Sequence, residues 1–106
     1  MKHYRLARIY TLEGEAPIDK VLEFLHEEQK VNNVMLIRAI AGYGDSGQLH
    51  TTSLLSLSMR LPLIIEFFAE EQHVLEVISV LRQRFDLRHI VSWPVEVNTP
   101  DDPMEI

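Results

Sequence analysis

The spacing of apolar residues changes along this chain, and each change marks an element. Tyr4 to Leu12 is rich in residues that favour extended backbone and predicts a strand. Gly14 and Pro17 break it, and Pro17 suits the first turn of a helix. Ile18, Val21, Leu22 and Leu25 then recur at helical spacing, while Glu23, His26, Glu27, Glu28 and Lys30 supply a wet face. Asn32 and Asn33 end this helix near Val31. Val34 to Ala41 is an apolar run interrupted by Arg38, and its length predicts a buried strand. Leu55, Leu57, Met59 and Leu61 alternate with Ser56, Ser58 and Arg60, the pattern of a half-buried extended segment. Pro62 marks a turn or a strand start, and Leu63 to Phe68 reads as a further buried strand. Val74, Val77, Ile78, Leu81 and Phe85 predict a second helix from about Glu70 to Arg84. Ile90 to Val97 is the last strand, and Pro94 within it requires an edge or a bulge.

The resulting order is strand, helix, strand, loop, strand, helix, strand. This split βαβ pattern predicts an α+β, ferredoxin-like sandwich, an antiparallel sheet with two helices on one face. Residues 1–97 form that domain, and the acidic stretch 98–106, with Pro100 and Pro103, is expected to be a loose tail. The strand Val34–Ala41 is apolar on both parities: Val34, Leu36 and Ile40 against Met35, Ile37, Ala39 and Ala41. One face of a sheet covered on one side would then be an exposed apolar patch, so the chain is expected to assemble with copies of itself.

Composition narrows the chemistry. The net charge of −6 opposes binding to nucleic acid, which relies on cations that displace phosphate counterions. The chain has no cysteine, which excludes thiol catalysis, thiolate zinc sites and disulfides and suits the cytoplasm. The apolar run Leu61–Ile65 is far shorter than the ~20 residues a membrane helix needs, so no membrane insertion is expected.

The most distinctive stretch runs from Arg38 through Gly42-Tyr43-Gly44 and Gly47 to His50-Thr51. Small residues let backbone approach a ligand closely, and consecutive N–H groups can form an anion-binding nest; a plain hairpin loop fits the same composition. Arg38 lies in an apolar strand, where it could fork onto a ligand's phosphate or carboxylate or pair with Glu66 or another carboxylate. His50 lies beside the loop, but His3, His26, His73 and His89 show no metal-ligand spacing with it. Arg82, Arg84, Arg88 and His89 cluster at the end of the second helix, where cations either complement the helix dipole or contact phosphate in a cleft. No nucleophile–base pair stands out, so the chain is expected to bind rather than to catalyse.

Arg38 with Gly42-Tyr43-Gly44, then His50-Thr51, then Leu61-Pro62-Leu63-Ile64-Ile65-Glu66 and an acidic helix start, resembles the PII-like DUF190 family over roughly Tyr4 to Val97. The resemblance implies a ferredoxin-like homotrimer that signals by binding a small-molecule ligand, an adenine nucleotide being the class suggested, in clefts between subunits. It also implies a loop, here residues 42–51, that contacts a partner protein. Carried over, Arg38, Gly42, Gly44, Gly47 and His50 are ligand-binding candidates, and Tyr43 between the two glycines and Arg84 and Arg88 of the basic cluster complete the candidate set. The chain departs from PII proteins where Arg84-Phe85-Asp86-Leu87-Arg88-His89 holds no phosphate-loop glycine and Asp45-Ser46-Gly47-Gln48 replaces the lysine-bearing loop. The CutA-type divalent-metal-binding proteins share the architecture and give the alternative reading, in which His50 meets Asp45 or Glu66 at a metal.

Overall fold

The structure, a computed structural model, describes residues 2–43, 47, 49–51 and 60–100. Strand β1 spans Lys2–Leu12 and is followed by helix α1, Ile18–Glu23, which continues as a π-helical turn over Phe24–Glu28. Next come β2 (Asn33–Arg38), the short strands β3 (Ala41–Tyr43) and β4 (Leu49–Thr51), β5 (Pro62–Glu70), helix α2 (Glu71–Arg84) and β6 (His89–Val97). The main sheet has four strands in the order β2-β5-β1-β6, all antiparallel. This is the expected ferredoxin-like sandwich.

Register explains the core. Ile9 stands opposite Ile65 on one side and Ile90 on the other, and Ala7 stands opposite Phe67. These residues point to the face that both helices cover. There they join Val21, Phe24, Leu25, Val74, Val77 and Leu81, all fully buried. The 74-77-81 spacing is one helix face, and it faces the sheet. Arg5 closes this layer at one end. Its guanidinium donates to Ser92 Oγ at 2.9 Å and to Glu71 at 3.0 Å, which fixes the start of α2 on the sheet.

The first helix is irregular. The Gln29 N–H reaches back five residues to the Phe24 carbonyl at 3.0 Å, and the Val31 N–H six residues to Leu25 at 2.9 Å. Widening the last turns lets adjacent Phe24 and Leu25 both enter the core. Lys30 then exits with a φ of +57°, a left-handed conformation that non-glycine residues seldom adopt.

Two sequence expectations, the end of the second strand and the burial of Arg38, need correction. The second strand stops at Arg38 rather than Ala41. Ala41–Tyr43 pairs instead with Leu49–Thr51, so the glycine-rich stretch holds a small hairpin, with Gly42 opposite His50. Gly42 packs closely there: a Cβ on it would lie 3.1 Å from Pro62 Cγ. Arg38, expected within a buried strand, is exposed at the strand end. The alternating segment over Leu55–Met59 and the end of the acidic tail, residues 101–106, lie outside the described residues.

Among the described residues, no helix lies on the second sheet face. Tyr4, Leu6, Arg8 and Tyr10 of β1 share it with Ile64, Glu66 and Phe68 of β5, Met35 and Ile37 of β2, and Val91 and Trp93 of β6. Met35 is 59% exposed and Trp93 39%, large values for apolar strand residues. Pro94 sits in β6, one of the two edge strands of the main sheet, where a residue without a donor is tolerated.

Candidate functional site

At one end of the main sheet, β1 finishes while β5 and β6 begin. Antiparallel pairing places Leu12 opposite Pro62 and Tyr10 opposite His89. Residues far apart in sequence therefore converge on one open cleft of about 730 Å³. Its walls come from the end of β1 and the following turn (Tyr10, Gly14, Glu15), from the chain returning to β5 (Arg60, Pro62), and from the α2–β6 connection (Asp86, Arg88, His89). Tyr43 of β3 reaches its rim.

Gly14 makes this arrangement possible. Its φ of +84° lies where an L side chain is strained, and a Cβ on it would stand 4.0 Å from Arg60 Nε. The turn after β1 thus runs directly alongside the Arg60 guanidinium.

The cleft combines two exposed guanidiniums, Arg60 and Arg88, with the rings of Tyr10 and Tyr43. Guanidinium groups bind phosphate and carboxylate through a planar fork of donors, and tyrosine rings offer flat apolar surface. Glu15 and Asp86 lie in the same walls. They offset part of the positive charge and can accept hydrogen bonds from a ligand's hydroxyl or amino groups.

Of the ligand-binding candidates, Tyr43 and Arg88 come together in the cleft. Gly42 lies behind its wall, against Pro62. His50 takes its backbone place in β4, and Gly47 turns the chain between β3 and β4 with a φ of +75°. Gly44, like Asp45, is outside the described residues.

Arg38 and Arg84 do not line the cleft. Arg38 Nε donates to Glu13 Oε1 at 2.7 Å, while Glu66, its other candidate partner, binds Arg8 Nε at 2.8 Å. Arg84 donates to Glu28 at 2.9 Å and lies 4.8 Å over the Phe24 ring, so it clips the two helices together. Sequence reasoning passed over Tyr10, Arg60 and Asp86. Arg60 counted as the polar half of an alternating strand, and Tyr10 as a strand former. No local pattern says that the two meet.

A smaller hollow of about 220 Å³ lies at the opposite end of the sheet, beside Lys30, Glu70 and His73. The His73 Nε2 is already engaged there with the Gln29 carbonyl at 2.7 Å. Among the described residues no three His, Cys, Asp or Glu side chains are grouped to hold a metal ion. None of the described helices is long and apolar enough to cross a membrane.

Comparison with known proteins agrees with this architecture. The model of the DUF190 family, described as "Uncharacterized ACR, COG1993", matches residues 5–97. The UPF0166 protein of Aquifex aeolicus (strain VF5) is 32% identical over 74 residues, covering 66% of this chain and 70% of that one. Among solved structures, a candidate PII-like signalling protein from Thermus thermophilus superposes with a TM-score of 0.58. It is 11% identical, over 89% of this chain and 90% of that one, a likeness of fold.

Proposed function

Because the chain belongs to the DUF190 family and has the PII-like fold, we propose that it is a signalling or regulatory protein that binds a small anionic ligand in the Arg60–Arg88 cleft. The observation that carries this reading is the convergence of two exposed guanidiniums and two tyrosine rings at one end of the sheet. Charge-assisted bonds from Arg60 and Arg88 hold the anionic part of the ligand, and Tyr10 or Tyr43 packs on its flat part. A nucleotide has both parts, and adenine nucleotides are the first class to test. The protein acts by binding rather than by catalysis, in the cytoplasm. Residues 42–51, of which Gly42 and Tyr43 adjoin the cleft, present the ligand's effect to a partner protein.

Assembly belongs to this reading. The uncovered sheet face, with Met35 and Trp93 exposed, is the surface on which copies of the chain meet as a homotrimer. The clefts then lie near subunit boundaries.

The test is a thermal-shift screen of the purified protein with adenine and guanine nucleotides, cyclic nucleotides, 2-oxoglutarate and divalent metals. A ligand at ~100 times its dissociation constant adds about 2.7 kcal/mol to the native state. A shift with a nucleotide that shrinks in Arg88→Ala supports the proposal. A shift with metals alone would replace it with the metal-binding reading.

A further inference from the structure

Glu13 lies between the cleft and the glycine-rich hairpin. It follows the last residue of β1, and its own N–H donates to the Leu61 carbonyl at 3.0 Å. Its side chain serves both limbs of the β2–β5 connection. Oε1 accepts from Arg38 Nε at 2.7 Å and from the Leu61 N–H at 3.3 Å. Arg38 ends β2, where the chain leaves the main sheet, and Leu61 precedes β5, where it returns. The Ala39 N–H adds a direct tie between the limbs by donating to the Pro62 carbonyl at 2.9 Å.

The cleft lies one residue away on each side. Gly14 and Glu15 follow Glu13 and line it, and Arg60 and Pro62 flank Leu61 and line it. We infer that Glu13 is a positioning residue, whose carboxylate couples occupancy of the cleft to the placement of the β3 limb. The ligand's part in this inference rests on the cleft reading above.

The physical basis is one oxygen shared by two donors. An anion drawn to Arg60 acts on the residue next to Leu61. Any shift of the Leu61 amide changes what Oε1 can still offer Arg38, and Arg38 is one residue from the Ala39–Pro62 tie. A carboxylate suits the role because an ionised oxygen accepts strongly from two donors at once. A glutamine keeps one acceptor and loses the charge. Coupling of this kind requires the ligand to favour one placement of the limb over another.

Amide hydrogen exchange on the full chain tests the inference, first without additive. In Glu13→Ala, exchange at both Ala39 and Leu61 should rise by about two- to fivefold, the range set by a surface ion pair and its local opening, with Ile65 and Phe67 unchanged. Glu13→Gln should restore Leu61 and leave Ala39 fast, and Arg38→Ala should speed Ala39 alone. A rise at Leu61 only in Glu13→Ala would confine Glu13 to its own turn and overturn the coupling.

The second arm adds ATP or tripolyphosphate as the probe. In the native sequence the probe should slow exchange at Leu61 and Ala39 together. In Glu13→Ala it should still bind and slow Leu61 alone. Slowing at both sites in that variant would overturn the inference. Failure of both probes to bind the native sequence would overturn a polyphosphate as the cleft's ligand and the ligand half of the inference with it, while the exchange rates without additive still decide whether Glu13 ties the two limbs.

Discussion

Arg8 and Glu66 face each other across the β1–β5 ladder, Nε to Oε1 at 2.8 Å, on the sheet face opposite the two helices. The Arg8 guanidinium also stands 5.8 Å from the centre of the Trp93 ring. The Tyr10 hydroxyl first, and the Glu66 carboxylate after it, hold Arg8 above its already high ordinary pKa. A raised pKa stabilises the fold fully below the unfolded value, and that contribution is lost only as pH climbs through the folded one. Both values lie far above neutrality. The difference in thermal midpoint between the native sequence and Arg8→Met should therefore stay constant from about pH 6 to pH 9. A difference that shrinks inside that window would show that another titrating group controls the pair.

The same face tests assembly. Met35→Asp and Trp93→Asp each place a charge on an exposed apolar position of an uncovered sheet. Neither position belongs to the helix-covered core, so the fold should persist by circular dichroism. Sedimentation should show the mass falling to that of the 12.3 kDa single chain. An unchanged mass in both variants would move the interface elsewhere.

Arg60→Ala and Arg88→Ala should each weaken binding of a nucleotide by roughly tenfold to a hundredfold, the equivalent of one charge-assisted hydrogen bond of about 1.5–3 kcal/mol. Arg84→Ala should leave binding unchanged, because Arg84 is committed to Glu28 and the Phe24 ring. It should cost up to about 1 kcal/mol of stability as an exposed pair. Calorimetry and urea denaturation separate the two effects, and equal loss of affinity in all three variants would contradict this assignment.

Gly14 should be sensitive for a backbone reason. Space around it is ample, yet its φ is +84°. Gly14→Ala should cost about 1–2 kcal/mol in urea denaturation, and Gly14→Asn clearly less, since asparagine tolerates the left-handed region. Equal costs would point to a side-chain clash instead.

Much of the fold was legible in the sequence because burial imposes periodicity. Val74, Val77 and Leu81 announced the core face of α2, and Pro94 announced an edge strand. The interruption at Arg38 was visible too, but its meaning was not. A charge in an apolar run looks the same whether it is buried or ends the strand, and its partner Glu13 lies 25 residues away. A hairpin was one of the two readings of the glycine-rich stretch, but the pairing of β3 with β4 was hidden because three-residue strands leave no measurable alternation. The cleft was half legible. Arg88 stood out within a basic cluster, whereas Arg60 and Tyr10 gained significance only from strand register, which no single segment encodes.

Pro94 has a consequence for the outer margin of the sheet. It stands opposite Arg5 in an unbroken β1–β6 register, so its nitrogen, which carries no hydrogen, faces away from β1. A foreign strand laid along that outer margin would find no donor at its middle. Lateral growth of the sheet into a fibrous ladder is thereby checked on the β6 side. Edge-to-edge stacking of these chains along β6 is disfavoured by a missing hydrogen rather than by a charge or a covering element.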